Sequence, residues 1–242
     1  MNVFDQMGVY WAEIADQNPT QRQIQFIKDT LEQRGPVLDL GCGTGRHMIS
    51  LIKEGYEIVG MDISLNLLKI AKTRLSGIQL IRADMRRLPF KTGAFAEVVS
   101  MDTSLGYLPT EKDDLQSLRE IHETLKHGGA LIVDVFNRDQ LMQKYGPKCP
   151  ITPKEKEYQS FTLSQKRTVD KDGGKLRDLW VIHDKADWET KVFRHVARLY
   201  ALKDLRDLLE KAGFVVKRVY GDYEGQKFSL ESKRLILVAT AK

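Results

Sequence analysis

Strand-like and helix-like segments alternate along most of this 242-residue chain, and this alternation constrains the fold more than any other feature. Parallel neighbours in a sheet need a crossover connection, so the pattern predicts a doubly wound α/β fold with helices on both faces. Apolar runs predict core strands at 37–40, 56–61, 78–81, 96–101, 130–136, 214–220 and 234–241. Apolar residues at helical spacing predict helices at 21–34, 47–53, 63–75, 115–125 and 202–211.

A different pattern occupies residues 137–200. Two extended segments, 161–169 and 175–184, flank the turn signal Asp172-Gly173-Gly174, and a third follows at 191–200. Long extended segments joined by a tight turn are typical of antiparallel strands. We therefore predict a small antiparallel β insertion here.

The insertion divides the α/β domain into two blocks of sequence, 1–136 and 201–242. In the second block a helix is followed by two strands without a helical crossover between them, which favours an antiparallel last strand at or near one edge of the sheet. We expect the insertion to act as a substrate-selecting lid. A dimerisation surface is the alternative, because exposed antiparallel strands pair readily with a neighbour.

Composition excludes some classes of protein without deciding the function. Lys and Arg number 38 against 33 Asp and Glu, and a net charge of +5 suits a solvated surface as well as a polyanionic partner. No apolar run approaches the ~20 residues of a membrane span, and the acidic N-terminus does not resemble a signal peptide. The two cysteines, Cys42 and Cys149, form no metal-binding or disulfide pattern. We expect a cytoplasmic protein without a membrane segment or a bound metal.

A glycine-rich turn, Gly41-Cys42-Gly43-Thr44-Gly45, joins the first strand to the next helix. Glycines at such a turn let a nucleotide-type ligand lie against the main chain. Dinucleotide sites have the spacing G-x-G-x-x-G, whereas here Arg46 occupies the place of the third glycine. Asp39 would repel a diphosphate but could pair with an ammonium group. The turn therefore favours a zwitterionic nucleoside without phosphate over NAD.

Two further carboxylates follow neighbouring predicted strands. Asp62 ends the second strand, where a carboxylate can accept hydrogen bonds from ribose hydroxyls. Asp84 follows the third strand, where it can accept a hydrogen bond from an exocyclic adenine amine. The carboxyl ends of adjacent strands form the crevice in which open α/β sheets bind ligands. Each residue also has a simpler interpretation: Asp62 as a helix cap and Asp84 as an ordinary turn residue.

With these motifs in order, the sequence resembles the class I S-adenosylmethionine-dependent methyltransferases, closely over 36–136 and loosely over 202–241. It departs from the family pattern at His127, where proline is usual, and at Ala96-Glu97, where many members have Phe-Asp. The resemblance implies a Rossmann-like seven-stranded sheet, S-adenosylmethionine as cofactor and S-adenosylhomocysteine as product. The residues that we assign to the cofactor site are Tyr10, Asp39, Gly41, Cys42, Gly43, Gly45, Asp62, Ile63, Asp84, Met85 and Met101.

The candidates for the acceptor site are Asp102, Tyr107 and His195. The stretch Ser104-Leu105-Gly106-Tyr107 resembles a subgroup that carries a small β lid and includes methyltransferases of small amines and amino sugars. Asp102 and Tyr107 could hold an acceptor amine, although Tyr107 could equally be a packed aromatic residue. His195 is a candidate substrate contact or general base. The pattern around it does not indicate which face of its strand is buried, and we expect His195 to be exposed to solvent.

Methyl transfer to a small molecule, with an amine as one acceptor class, is the leading functional hypothesis. One alternative is a methyltransferase acting on RNA or protein, because Arg82, Arg86, Arg87 and Lys91 surround the predicted adenine loop. Another is a cofactor-binding protein without turnover. Tyr10 and Trp11 could fold over the cofactor as an aromatic lid, or dock on the protein core instead.

Overall fold

The computed structural model describes residues 3–32, 35–74 and 77–242. Its helices are α1 (Val3–Met7), α2 (Val9–Asp16), α3 (Thr20–Thr30), α4 (Arg46–Lys53), α5 (Leu65–Arg74), α6 (Glu111–Thr124), α7 (Arg138–Tyr145) and α8 (Leu202–Lys211). Its strands are β1 (Val37–Leu40), β2 (Ile58–Asp62), β3 (Gln79–Arg82), β4 (Phe95–Ser100), β5 (Leu125–Phe136), β6 (Lys154–Glu157), β7 (Phe161–Val169), β8 (Lys175–Asp184), β9 (Thr190–Arg198), β10 (Phe214–Tyr220) and β11 (Arg234–Ala241).

The larger sheet has seven strands in the order β10-β11-β5-β4-β1-β2-β3. Neighbours among β1 to β5 run parallel, whereas β11 runs antiparallel to both β5 and β10. The predicted α/β fold with an antiparallel last strand is confirmed, and this strand lies next to the edge of the sheet.

Alternate residues of the parallel strands enter two apolar clusters. Leu38 and Leu40 of β1 pack in a cluster that includes Leu118 of α6, and Val37 packs in another with Ile27 of α3 and Met48 of α4. Because helices cover both faces of the sheet, the side chains on both faces are apolar and the strands appear in the sequence as continuous apolar runs. The ends of the strands are not part of these covered faces and are free to form a site.

The insertion forms a separate antiparallel sheet in the order β6-β7-β8-β9. β7 and β8 have the predicted bounds, but β6 was missed because all four of its residues are exposed and show no apolar alternation. α7 was missed for a similar reason, since Leu141 is its one buried residue.

One predicted helix ends earlier than its pattern indicates. The helix predicted over 21–34 ends at Thr30, because Leu31 adopts an extended conformation with ψ 146°. The helix predicted over 63–75 is described over Leu65–Arg74, and residues 33, 34 and 75 of these two predictions lie outside the described residues.

The N-terminal helices α1 and α2 connect the two sheets. On the side of the large sheet, Asp5 accepts a 2.8 Å hydrogen bond from Ser64 just before α5, and Asp16 pairs with Arg74. On the insertion side, Glu13 binds Ser160 before β7. No helix within residues 3–32, 35–74 and 77–242 is long and apolar enough to cross a membrane.

Candidate functional site

A cavity of about 630 Å³ lies at the carboxyl ends of β1 to β4. Its wall combines the glycine turn and the loops after β2, β3 and β4 with parts of α1, α2 and β9. The site residues predicted from the sequence that form part of this wall are Gly41, Cys42, Gly43, Asp62, Ile63, Asp84, Met85, Met101, Asp102, Tyr107 and His195. The structure therefore brings most of the predicted residues together and leaves Tyr10, Asp39 and Gly45 outside the wall.

The glycine turn has the left-handed backbone that only glycine adopts without strain. Gly41, Gly43 and Gly45 have φ values of 78°, 54° and 72°. A Cβ on Gly41 would also overlap the side chain of Ser104, which belongs to the loop after β4. The turn needs glycine both for its conformation and for its close approach to that loop.

Asp62 holds the glycine turn in place. Its Oδ2 accepts a 2.9 Å hydrogen bond from the backbone N–H of Gly43, and its Oδ1 accepts one of 2.8 Å from Ser64. Burial raises the pKa of Asp62 against the opposing effect of these N–H donors. Each carboxylate oxygen can accept a second hydrogen bond, so the contacts leave Asp62 able to bind a ligand.

Asp39 is buried beneath the turn and is 1% exposed. Within the described part of the chain, its Oδ2 has no hydrogen-bond partner. Burial raises the pKa of Asp39 to about 7, and the nearby positive charge of Arg46 opposes this rise. Asp39 can therefore influence a cationic ligand through its charge, although it does not form part of the cavity wall.

Asp84 is paired with a neighbouring arginine. Its Oδ2 lies 2.6 Å from Nη2 of Arg86, and Nη1 of the same arginine lies 3.2 Å from Asp113. The Arg86 hydrogen bond holds the pKa of Asp84 below its usual range. These contacts also occupy Arg86, one of the basic residues that suggested an RNA or protein substrate.

The Asp102 carboxylate lies in the cavity wall and is held by several protein groups. It accepts hydrogen bonds of 3.0 Å from both Asn18 and Gln23, and it forms a short ion pair with Arg46. Burial opposes ionisation of Asp102, but the charges of Arg46 and Arg234 keep its pKa below the usual value. These contacts support a structural role for Asp102 in the wall.

A buried ion pair beneath Asp102 was not foreseen from the sequence. Arg234 of β11 contacts Asp134 of β5 at 2.7 Å and donates a 2.9 Å hydrogen bond to Thr103. The backbone N–H of Asp102 also binds Asp134, at 2.9 Å. Asp102 and Thr103 adopt positive φ values of 55° and 67°, and these contacts hold that strained turn. The sequence signal for this ion pair was Asp134, a charged residue inside the apolar run 130–136.

His195 is buried, so the expectation of solvent exposure was wrong. It is 7% exposed and lies on the inner face of the insertion sheet with Phe193 and Ala197. Its Nδ1 lies 3.5 Å from the Tyr107 hydroxyl, and burial lowers the pKa of the imidazole below its usual value. His195 is therefore neutral near pH 7 and able to accept a proton.

Five rings form an aromatic cluster at the insertion side of the cavity. Phe4 lies in van der Waals range of Trp11 and Tyr107, with centroid separations of 4.8 and 5.0 Å. His195 packs against Trp180 at 5.1 Å and against Phe4 at 5.9 Å. Burial raises the pKa of Tyr107, which keeps its hydroxyl protonated. The cluster is apolar except for the hydroxyl and ring nitrogens that it carries.

Tyr10 lies away from the cavity, while Trp11 forms part of its wall. The Tyr10 hydroxyl accepts a 2.8 Å hydrogen bond from Lys191 and makes a short contact with Asp184, both on the insertion. Its ring packs edge-on against Phe161 at 5.2 Å. Of the two alternatives for Tyr10, a cover over the site or docking on the protein, the structure shows docking, on the insertion sheet.

No cluster of three or more potential metal ligands occurs among the His, Cys, Asp and Glu residues that the structure describes. Cys42 is buried and Cys149 half-buried, and both are free thiols.

Comparison with known proteins matches a family model described as a methyltransferase domain to residues 37–129. A putative methyltransferase of Bacillus subtilis (strain 168), YqeM, is 27% identical over 98% of this chain and 96% of its own length. A glycine/sarcosine N-methyltransferase of Parasynechococcus marenigrum (strain WH8102) is 33% identical over 55% of this chain and 50% of its own. The solved structure of S-adenosylmethionine-bound CalS10, an amino pentose methyltransferase from Micromonospora echinaspora, superposes with a TM-score of 0.69 at 18% identity over 97% of both chains.

Proposed function

We propose that this chain, which belongs to the class I S-adenosylmethionine-dependent methyltransferases, methylates the amine nitrogen of a small molecule. The observation that carries the proposal is the composition of the cavity wall. The glycine turn and Asp62 lie in the same cavity of about 630 Å³ as Tyr107 and His195, so the residues that we assign to the cofactor and to the acceptor line one space. A sequence relative named as a glycine/sarcosine N-methyltransferase supports an amine as the acceptor class.

The cofactor would be held by the carboxyl ends of β1, β2 and β3. The glycine turn presents bare backbone to it, Asp62 would accept hydrogen bonds from the ribose, and Asp84 with Met85 would contact the adenine. The buried charge of Asp39 would favour the ammonium group of the methionine portion. Ile63, 43% exposed beside Asp62, would cover one side of the ribose.

When bound, S-adenosylmethionine supplies an activated methyl group, and the amine lone pair bonds to its carbon as the C–S electron pair moves onto sulfur. The protein's main contribution to such a displacement is alignment of the reacting atoms. The faces of Phe4, Trp11 and Tyr107 would favour a cationic acceptor and exclude water from it. His195, neutral near pH 7, would accept the proton that an ammonium must lose before its nitrogen can react.

The two parts of the chain would divide these tasks. Residues 1–136 and 201–242 would form the cofactor domain, and the insertion, 137–200, would act as the lid that selects the acceptor. The contribution of His195 from β9 to the cavity wall supports this division. Transfer to a small molecule also suits a site covered by α1, α2 and β9.

A methyl-transfer screen tests this proposal. The full chain is incubated with S-adenosylmethionine labelled in its methyl group and with separate pools of small amines, alcohols, thiols and RNA. We expect label in the amine pool and S-adenosylhomocysteine in equal amount. Label confined to RNA would contradict the small-molecule assignment, and label confined to alcohols or thiols would contradict the amine.

A further inference from the structure

Three charged or titratable side chains form a straight row across the insertion sheet. Arg167 of β7 pairs in register with Asp178 of β8, and Asp178 pairs in register with His195 of β9. Directly opposed residues in antiparallel strands place their side chains on the same face. The row therefore runs from the interior of the insertion to the cavity wall, which it reaches at His195. We call it the Arg-Asp-His row.

The first pair of the row is a bidentate ion pair. Nε of Arg167 donates to Oδ1 of Asp178 at 2.8 Å, and Nη2 donates to Oδ2 at 2.6 Å. Gln165 adds a third donor at 3.2 Å, and the carboxylate has no solvent exposure. Planar two-point pairing of this kind fixes the orientation of a carboxylate.

The second pair joins this carboxylate to the imidazole. Nε2 of His195 lies 3.7 Å from Oδ2 of Asp178, and in the described part of the chain Nε2 has no hydrogen-bond partner. A neutral imidazole carries its proton on one nitrogen and a lone pair on the other. A lone pair on Nε2 would face a carboxylate, whereas an N–H there faces it favourably. The carboxylate thus selects the Nε2–H form.

We propose that Asp178 is a positioning residue for methyl transfer: held by Arg167, it keeps the His195 proton on Nε2 and leaves the Nδ1 lone pair for Tyr107 and the cavity. This inference rests on the proposed role of His195 as the proton acceptor. Arg167 and Asp178 lie on β7 and β8, whose inner faces contain few other charged residues.

The protein supplies every group that this proton transfer needs. The acceptor ammonium gives a proton to the Tyr107 oxygen while the Tyr107 hydroxyl proton passes to Nδ1 of His195. The amine keeps the electron pair of its broken N–H bond and uses it for the methyl carbon. The resulting imidazolium faces Asp178, whose negative charge stabilises it. After transfer, the imidazolium returns its proton to solvent.

The groups that face the His195 imidazole determine its pKa. They are Asp178 from β8, Arg167 from β7, Tyr107 from the loop after β4, and the uncharged rings of Phe4 and Trp180. Burial lowers the pKa of His195, Asp178 opposes that change, and Arg167 reinforces it. Removing the Asp178 charge should therefore lower the pKa further.

Nitrogen-15 spectra of the imidazoles in the full chain test the proposal without an acceptor. The His195 signals are assigned by their loss in His195→Gln. In the wild-type chain at pH 7 we expect a protonated Nε2 and an unprotonated Nδ1. In Asp178→Asn we expect the pKa of His195 to fall by about one unit or more. Asp170→Asn is the matched control, because Asp170 forms an exposed ion pair with Arg177 of the same sheet.

The outcomes test the Arg-Asp-His row and the proposed function separately. A wild-type His195 protonated on Nδ1 would overturn the inference even if Asp178→Asn failed to fold, and so would equal pKa values in Asp178→Asn and Asp170→Asn. In the transfer assay with the amine pool, the acid limb of the pH profile should move to lower pH in Asp178→Asn but not in Asp170→Asn. If His195→Gln retained full transfer, the proposed role of His195 would be wrong, while the spectra would still decide the role of Asp178 in setting the His195 proton.

Discussion

Asp62 and Gly43 are joined by a 2.9 Å hydrogen bond in which the backbone of the glycine turn donates to a carboxylate on the neighbouring strand. This bond makes the turn after β1 and the acid at the end of β2 one structural unit. A ligand that contacts either residue therefore meets a geometry that depends on both.

Asp62→Ala should weaken the binding of S-adenosylhomocysteine by about 1–3 kcal/mol, because hydrogen bonds to a charged acceptor are lost and the turn loses its anchor. Titration calorimetry measures the effect. Asp16→Ala is the control, since Asp16 forms an exposed ion pair with Arg74 and lies outside the cavity wall. Equal affinities of both variants and the wild type would mean that Asp62 only caps α5.

Asp39 should make the stability of the ligand-free chain depend on pH. Its pKa of about 7 in the folded state lies above the ordinary value of 3.8, so its stabilising contribution is full at low pH and is lost as the pH rises through about 7. Between pH 5.5 and 8 this loss is on the order of 2 kcal/mol. Asp39→Asn should lack it, as measured by urea unfolding at both pH values. A parallel response of both proteins would show that Asp39 is ionised throughout this range.

Asp102→Ala should be strongly destabilising, by about 3–5 kcal/mol, because it leaves the guanidinium of Arg46 buried without its carboxylate. Arg46 is 9% exposed. Urea unfolding of Asp102→Ala and of the exposed control Asp16→Ala gives the comparison. If Asp102→Ala unfolded at the same urea concentration as the wild type but lost affinity for the acceptor, the sequence-based interpretation of Asp102 as an amine-binding residue would be correct.

Tyr10→Phe should leave cofactor affinity and transfer within a few-fold of the wild type, because the Tyr10 hydroxyl binds Lys191 and Asp184 away from the cavity. Trp11→Ala should instead reduce transfer at least tenfold, since alignment in the cavity supplies much of the rate. Rates with the amine pool distinguish the two variants. A loss of cofactor binding in Tyr10→Phe would restore Tyr10 to the cofactor site.

Local patterns predicted the parts of the fold and site that depend on short stretches of sequence. The glycine turn and Asp62 follow from a strand-turn-helix pattern and its neighbour, and the bounds of β7, β8, α8, β10 and β11 match their apolar patterns. The helices α1 and α2 were missed because they are short and α2 lacks a side-chain cap at Gly8. Their stability depends on packing against α5 and the insertion sheet.

Long-range pairing accounts for the remaining differences. The Arg234 and Asp134 side chains meet because β11 pairs with β5, and no local pattern specifies which strand β11 pairs with. The face of His195 was ambiguous because its strand also carries exposed apolar residues, Val192 and Val196, at 46% and 41% exposure. Apolar residues on both faces of a strand remove the alternation from which burial is inferred.

Methyl transfer from S-adenosylmethionine with a deuterated methyl group tests the central claim most directly. Mass spectrometry with fragmentation of the amine pool locates the label. We predict a product that carries the deuterated methyl on nitrogen, formed together with an equal amount of S-adenosylhomocysteine. Label on oxygen, sulfur or RNA with none on a small-molecule nitrogen would contradict the claim.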